Sequence, residues 1–444
     1  MAFKARKQPA KYESNFYVRM NYENSLSFAQ KMDADDPLKR FRERFHIPKI
    51  NGKDVHYFVG NSLGLQPKTA RSFIEQEMSD WENFAVEGHF KDAKRPWMHY
   101  HKFLKDSLVK LVGAKPIEVV SMNQLTVNLH LLMVSFYRPS KERFKIIAEA
   151  GAFPSDQYMF ESQIKHHGLN PDEVLIELKP REGEHNLRTE DILSAITEAG
   201  NELALVLLSG VQYYTGQFFD IPTITKAGHD QGAKVGWDLA HAMGNLPLEL
   251  HDWDVDFATW CSYKYLNSGP GNVSGIFVHE RFAHDKSIQR FAGWWGYNED
   301  TRFQMTKGFD PMPGADGWQT SNVNVLSSAA HLASLEIFDE VGMEALRAKS
   351  LKLTGYLEFL IQELSGEANI FEVITPANPD ERGCQLSILF NQNGRALFNE
   401  LTNQGVIADW REPNVIRVAP VPLYNKFEDA FQFVRILKDA INSN

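Results

Sequence analysis

The sequence predicts an α/β protein: a doubly wound, mainly parallel sheet with a smaller α+β unit at its C-terminal side. Three observations point there. Strand-like and helix-like stretches alternate over roughly residues 100–280, the pattern of repeated strand–helix units. Ala204–Ser209 is a continuous apolar run, as a strand buried on both faces requires. Polar residues collect where such runs end. Asp238 follows the apolar approach Lys234–Gly236, and Lys264 follows the apolar segment Asp256–Ser262. Ligands of open α/β sheets gather at these strand ends.

Asp238 and Lys264 are 264 − 238 = 26 residues apart, so two strand ends can bring an acid and an amine to one ligand. A pocket lysine forms a Schiff base with an aldehyde cofactor, and an opposed aspartate keeps a pyridine nitrogen protonated. That is the arrangement pyridoxal phosphate uses. The alternatives are a helix N-cap for Asp238 and a solvated charge for Lys264. Tyr263 and Tyr265 flank the lysine after an apolar run, which argues against a solvated charged face.

Composition bounds the class. The 444 residues allow two or three domains, or one large domain with a smaller one attached. Hydrophobic residues at 43% and charged residues at 23% are ordinary for a soluble globular protein. A net charge of −10 argues against nucleic acid or an anionic membrane as partner. Cys261 and Cys384 make neither a disulfide framework nor a metal cluster, which fits a reducing compartment and no metal. The basic start, residues 1–16, lacks the apolar core of a signal peptide, and Leu129–Tyr137 is too short to span a bilayer. These features predict a cytoplasmic protein.

In chain order, the pattern predicts an N-terminal arm and helix over 1–55, a large domain over 56–325 and a small one over 326–444. A helix is expected across Ser25–Phe41. The strand from Val55 runs into Gly60–Gly64, whose two glycines suit either backbone approach to a ligand or a hairpin turn. Pro67 opens a helix reaching about Ala85, and Lys102–Val112 is a second. After strand Glu118–Met122, Thr126 stands where an apolar helix, Val127–Phe136, begins. It is read either as a cap or as part of an anion site. Strand Phe144–Ala148 leads to Phe153, placed to stack on a flat ring or to join the core, and to Asp156, a hydrogen-bonding acid or the cap of helix Gln157–His166. Helix Ile221–Gln231 precedes the Asp238 segment, where His241 can flank the same ring, and Ser274–His279 reads as a returning strand. The C-terminal unit carries helix Ser327–Gly342, strand Gln385–Phe390, helix Arg395–Gln404 and strand Val415–Val418. Arg417 inside that last strand wants a carboxylate, either a substrate's or a structural partner's.

The chain resembles the kynureninases, pyridoxal-phosphate enzymes of the aspartate-aminotransferase fold (fold type I). The likeness runs from Phe58–Gly64 through Leu125–Met133 to Ile416–Asn425, and is most specific at Ala152–Asp156, Trp237–Asn245 and Tyr263–Asn267. It implies hydrolytic Cβ–Cγ cleavage of L-kynurenine or its 3-hydroxy form to the anthranilate and L-alanine, in tryptophan catabolism and NAD biosynthesis. It implies pyridoxal 5'-phosphate on Lys264, Asp238 at the pyridinium and Phe153 on the ring. Leu125, Thr126, Pro154, Ser155, Asp156, Ser209, His241 and Tyr263 would complete that site, with Tyr263 moving protons. It further implies a homodimer in which Trp294 and Asn322 reach the partner's site. Arg417 would take the substrate α-carboxylate, and Ser62, His89, Ser321 and Asn322 would line the rest of the substrate pocket. Tyr297, where histidine is expected, and the length of the Phe90–Lys94 loop depart from the pattern. Rival readings are a cysteine desulfurase, which needs a thiol on a mobile loop, and a non-catalytic binding module on the same fold.

Overall fold

A computed structural model describes residues 21–365 and 370–443, so the basic start lies outside the described residues. Its centre is a seven-stranded sheet in the order Val119–Ser121, Gly275–Val278, Phe257–Trp260, Lys234–Asp238, Leu203–Ser209, Lys145–Glu149, Leu175–Leu178. Only Gly275–Val278 runs against the others. The predicted mainly parallel, doubly wound sheet is therefore present.

Alternation along each strand supplies two cores. Ile147, Val206, Leu208, Val235, Trp237 and Trp260 face one way, against helices Tyr100–Val112, Ile221–Asp230 and Val325–Val341. Ile146, Ala148, Leu205, Leu207 and Phe257 face the other, against helices Leu125–Phe136 and Pro154–His166. A third core lies under a four-stranded antiparallel sheet, Phe371–Val373, Leu386–Phe390, Val415–Val418 and Asp409–Arg411. Helices Met343–Ser365 and Phe427–Ser443 cover it, and Ala29 and Phe58 pack into it from the N-terminal part. No described helix is long and apolar enough to cross a membrane.

Several boundaries moved for local reasons. The expected Ser25–Phe41 helix is Leu26–Ala34, capped by the Ser25 hydroxyl, with a separate 3-10 turn at Lys39–Arg44. Pro37 explains the break, because it lacks an N–H and disfavours helix at the residue before it. The strand from Val55 is only His56–Tyr57 and pairs in parallel with Val406–Ile407 of the C-terminal unit. Thr126 is not the cap of its helix: the N-cap is Gln124, and Thr126 lies in the first turn. Helix Pro154–His166 starts earlier than expected, with proline at its first position, so Asp156 sits in the first turn and not at the cap. Asp238 is the last residue of its strand, not just beyond it.

Candidate functional site

A cavity of about 300 Å³ opens where these strands end. Lys264 lies in the loop after Phe257–Trp260 and Asp238 ends the adjacent parallel strand, so their proximity follows from strand order. Ten of the expected residues line it: Leu125, Thr126, Phe153, Ser155, Asp156, Ser209, Asp238, His241, Tyr263 and Lys264. Lys264 Nζ stands 5.9 Å from the ring centres of both Phe153 and Tyr263. Phe153 is 43% exposed, so its face is open for stacking and is not core.

The charges are arranged around the amine. Asp238 is buried; one oxygen accepts the Ala240 N–H at 2.7 Å, so it also makes the local turn that the capping alternative foresaw. Burial raises its carboxyl, while that N–H, the Lys264 ammonium and a hydrogen bond from Asp156 hold it down. Asp156 is pushed well above the carboxylate range, by burial first and then by the Asp238 charge, and donates its proton to Asp238. His241 is driven well below the usual histidine value by burial, then by Lys264, Arg417 and Arg411. It is a neutral imidazole whose Nδ1 has no hydrogen-bond partner. Tyr263 is raised by burial and donates to the Cys261 sulfur.

Other expected residues lie outside this cavity. Arg417 is 1% exposed, donates to the Asp409 carboxylate and to the Tyr213 carbonyl at 2.6 Å, and leaves Nε unpartnered. The structural ion pair is thus made, one wall away: the Tyr213 ring lines the cavity and lies 5.9 Å from the guanidinium. His89 packs edge-on against Trp97, with ring centres 5.2 Å apart. Ser62, Ser321 and Asn322 are exposed, as is Pro154 beside the Phe153 wall. Trp294 is 43% exposed and held by its indole N–H to the Arg302 carbonyl at 3.3 Å.

Sequence reasoning passed over Glu149 and Tyr213. Glu149 ends an apolar strand as Asp238 does, and that shared signal was available; Tyr213 follows a strand end without a distinguishing pattern. In the Gly60–Gly64 turn, Gly64 makes a close approach to the backbone of the lysine loop. A Cβ on Gly64 would stand 2.3 Å from the Lys264 carbonyl, and Gly64 N–H donates to the Tyr263 carbonyl at 2.9 Å. At the opposite edge of the sheet, Glu118, His251 and His279 gather. There the Glu118 oxygens already accept from His251 and from the backbone of Lys115 and Glu280, each at 2.8 Å. This cluster is a structural lock.

Comparison with known proteins decides the family. The chain is 59% identical to a kynureninase of Flavobacterium psychrophilum, over 96% of this chain and 100% of that protein. It is 54% identical to one from Myxococcus xanthus, over 94% and 97% of the two chains. The chain belongs to the kynureninase family. A family model described as the kynureninase C-terminal domain matches residues 346–437. Among solved structures, a cysteine desulfurase from Thermococcus onnurineus superposes with a TM-score of 0.72 at 16% identity, covering 94% of this chain and 98% of that one. A cysteine desulfurase from Escherichia coli gives 0.73 at 15%, covering 91% and 98%. These structures share the fold, the one expected for a kynureninase.

The cavity fits pyridoxal 5'-phosphate. It offers an amine for the aldehyde, a buried carboxylate for the ring nitrogen, and an open aromatic face. The buried His241 Nδ1 lacks a partner, and no side chain caps the helix at Leu125, whose amides suit a phosphate.

Proposed function

We propose that the chain is a pyridoxal-phosphate-dependent hydrolase that cleaves the Cβ–Cγ bond of L-kynurenine, 3-hydroxy-L-kynurenine or both. The products are anthranilate or 3-hydroxyanthranilate and L-alanine, which gives the enzyme a place in cytoplasmic tryptophan catabolism and pyridine-nucleotide biosynthesis. The observation that carries this reading is the convergence of Lys264, Asp238, Asp156, Phe153 and Tyr263 on one cavity in a chain of this family. When bound, the cofactor supplies an electron sink for the charge that develops at substrate carbons.

The chain's own groups do the rest. Lys264 would hold the cofactor through its amine, and the same nitrogen would move the proton at the substrate Cα. Asp238, its carboxylate accepting a hydrogen bond from the protonated Asp156, would hold the ring nitrogen charged. Phe153 and His241, which line the cavity, would hold the ring. Leu125, Thr126, Ser155 and Ser209 hold the polar edge, and the Tyr263 phenol is near enough to Lys264 to pass protons in the later steps. Arg417 takes the substrate carboxylate in exchange for part of its bonding to Asp409. Pro154 sets the start of the helix that carries Ser155 and Asp156.

The assembly in this reading is a homodimer with shared sites, in which Trp294 and Asn322 would reach the partner's cofactor site, His89, Ser321 and Asn322 would line the aryl end, and Ser62 would complete the substrate pocket. Support comes from the exposed apolar side chains within one stretch, Phe291, Trp294, Phe303 and Met305, of which Trp294 and Phe303 touch edge to face. A desulfurase reading is disfavoured by chemistry. Both cysteines are buried, and burial raises both thiols, Cys384 to about 12. The test is an absorbance spectrum of the purified protein followed by product analysis with both substrates. A colourless protein that releases no alanine from either would overturn the reading.

A further inference from the structure

Glu149 gives the cavity a third acid, one with no cation of its own. It is 3% exposed and makes no ion pair among the described residues. Both of its oxygens are held by Ser209, whose hydroxyl stands 2.7 and 2.9 Å away and whose N–H donates at 3.2 Å. Ser209 pairs in register with Asp238, so three neighbouring strand ends set Asp238, Ser209 and Glu149 in a row. Glu149 and Tyr213 also line a second cavity of about 280 Å³ with polar walls at His185, Gln212, Thr215 and Gln217. That chamber shares His185 and Gln217 with an open groove of about 1060 Å³ beside the C-terminal unit. Glu149 therefore stands between the cofactor cavity and a polar route toward solvent.

A hydroxyl whose neighbour is one carboxyl has two states. With Glu149 ionised, Ser209 donates its hydrogen to Glu149 and turns only lone pairs toward the cavity. With Glu149 protonated, the carboxyl donates to Ser209 Oγ, and the Ser209 hydrogen is released toward the cavity. We infer that Glu149 is a positioning residue: by taking or giving one proton it decides whether Ser209 offers the bound cofactor a hydrogen-bond donor or only an acceptor.

Burial lifts Glu149 to about 7; the Ser209 bonds oppose the shift, and the Asp238 charge adds to it. The titratable groups sharing its two cavities are Asp156, Asp238, Lys264, His241, Cys261 and Tyr263 on one side and Tyr213, Tyr214 and His185 on the other. Pyridoxal phosphate carries net negative charge on phosphate and phenolate oxygens, so its arrival favours the donor state. Binding then draws a proton from solvent onto Glu149, separately from the imine that Lys264 would form with the aldehyde with loss of water, a step common to the unaltered chain and to Glu149→Gln. The inference rests on reading the cavity as the cofactor site.

The test is calorimetric titration of pyridoxal phosphate into the cofactor-free full-length chain, in two buffers of different ionisation enthalpy, at about pH 8, where linkage exposes the coupled proton. The unaltered chain should take up more protons per cofactor than Glu149→Gln, by about half to one proton. Its affinity should also fall more steeply with rising pH, by up to about tenfold per unit. Ser209→Ala should bind more weakly than the unaltered chain at about pH 6.5, the gap closing by about pH 8.5 as Glu149 ionises. Equal proton counts for the unaltered chain and Glu149→Gln would overturn the inference. So would a Ser209→Ala deficit that does not change with pH, and that arm stands even if Glu149→Gln does not fold. Absence of saturable binding by the unaltered chain would overturn the cofactor reading itself, and this inference with it.

Discussion

Lys264 shares one small cavity with three buried acids, Asp156, Asp238 and Glu149, and in the proposed function its amine also holds the cofactor. Lys264→Ala should abolish the visible absorbance of covalently held cofactor and lower turnover by orders of magnitude, because cofactor exchange and proton transfer use the same nitrogen. Near-normal turnover would refute the assignment. At Arg417 the sequence left two partners open, and the structure supplies one of them, Asp409, only eight residues away (417 − 409 = 8). If the guanidinium also takes a substrate carboxylate, Arg417→Lys should raise KM strongly and leave cofactor binding intact, since an ammonium lacks the planar fork. An unchanged KM with reduced stability would confine Arg417 to its ion pair. The meeting of Asp238 and Lys264 at one cavity was legible because each stands at or just after the end of an apolar segment. Glu149 shows the same local signal, but what makes it matter is Ser209 on the neighbouring strand, which no spacing rule reveals.

At the scale of elements, the Gly60–Gly64 turn supports the lysine loop across 264 − 64 = 200 residues of chain. Gly64→Ala would force a Cβ against the Lys264 carbonyl and the Asn267 side chain, both at 2.3 Å, and backbone cannot yield as a flexible side chain does. We expect a loss of about 1–3 kcal/mol in urea unfolding, together with weaker cofactor retention. Helix Phe427–Ser443 is tied to the N-terminal part by Asp429, which bonds His56 at 2.8 Å and meets Arg42 at 3.4 Å. Despite burial, which alone would raise it, the Asp429 carboxyl lies below its usual value, held down by His56 and then Arg42. Its contribution is therefore present above the ordinary carboxylate pKa and lost as pH falls through the depressed folded value. Asp429→Ala should destabilise the chain by about 3–5 kcal/mol at neutral pH, the deficit shrinking in acid, as denaturant titrations at several pH values would register.

For the whole molecule, the shared-site dimer is the prediction with most at stake. Trp294 is presented outward and braced, since Arg302 accepts its indole N–H and itself donates to the carbonyls of Trp295 and Tyr297. Pair a chain carrying Lys264→Ala with one carrying Trp294→Ala and Asn322→Ala, each nearly inactive alone. One site of a mixed dimer collects both defects and the other is intact. Equal, random remixing makes about half of the dimers mixed, hence about a quarter of unaltered activity should return. No recovery after verified chain exchange would mean that these residues act within their own chain.

The amino-acid sequence by itself determined which segments are strands and helices, and which strand ends carry an acid or an amine. Those properties reside in apolar periodicity, proline position and side-chain chemistry, all local to a few residues. Only the tertiary structure decided which ends are neighbours. Strand Lys234–Asp238 lies beside Leu203–Ser209, then Lys145–Glu149, while Val119–Ser121 crosses to the far side of the sheet. That order is set by how each crossover helix packs its apolar face, a free energy summed over contacts far apart in the chain. It is what brings Glu149 to Ser209, Gly64 to Lys264 and Asp156 to Asp238. The distances that tune these groups exist only once the sheet has closed its two cores.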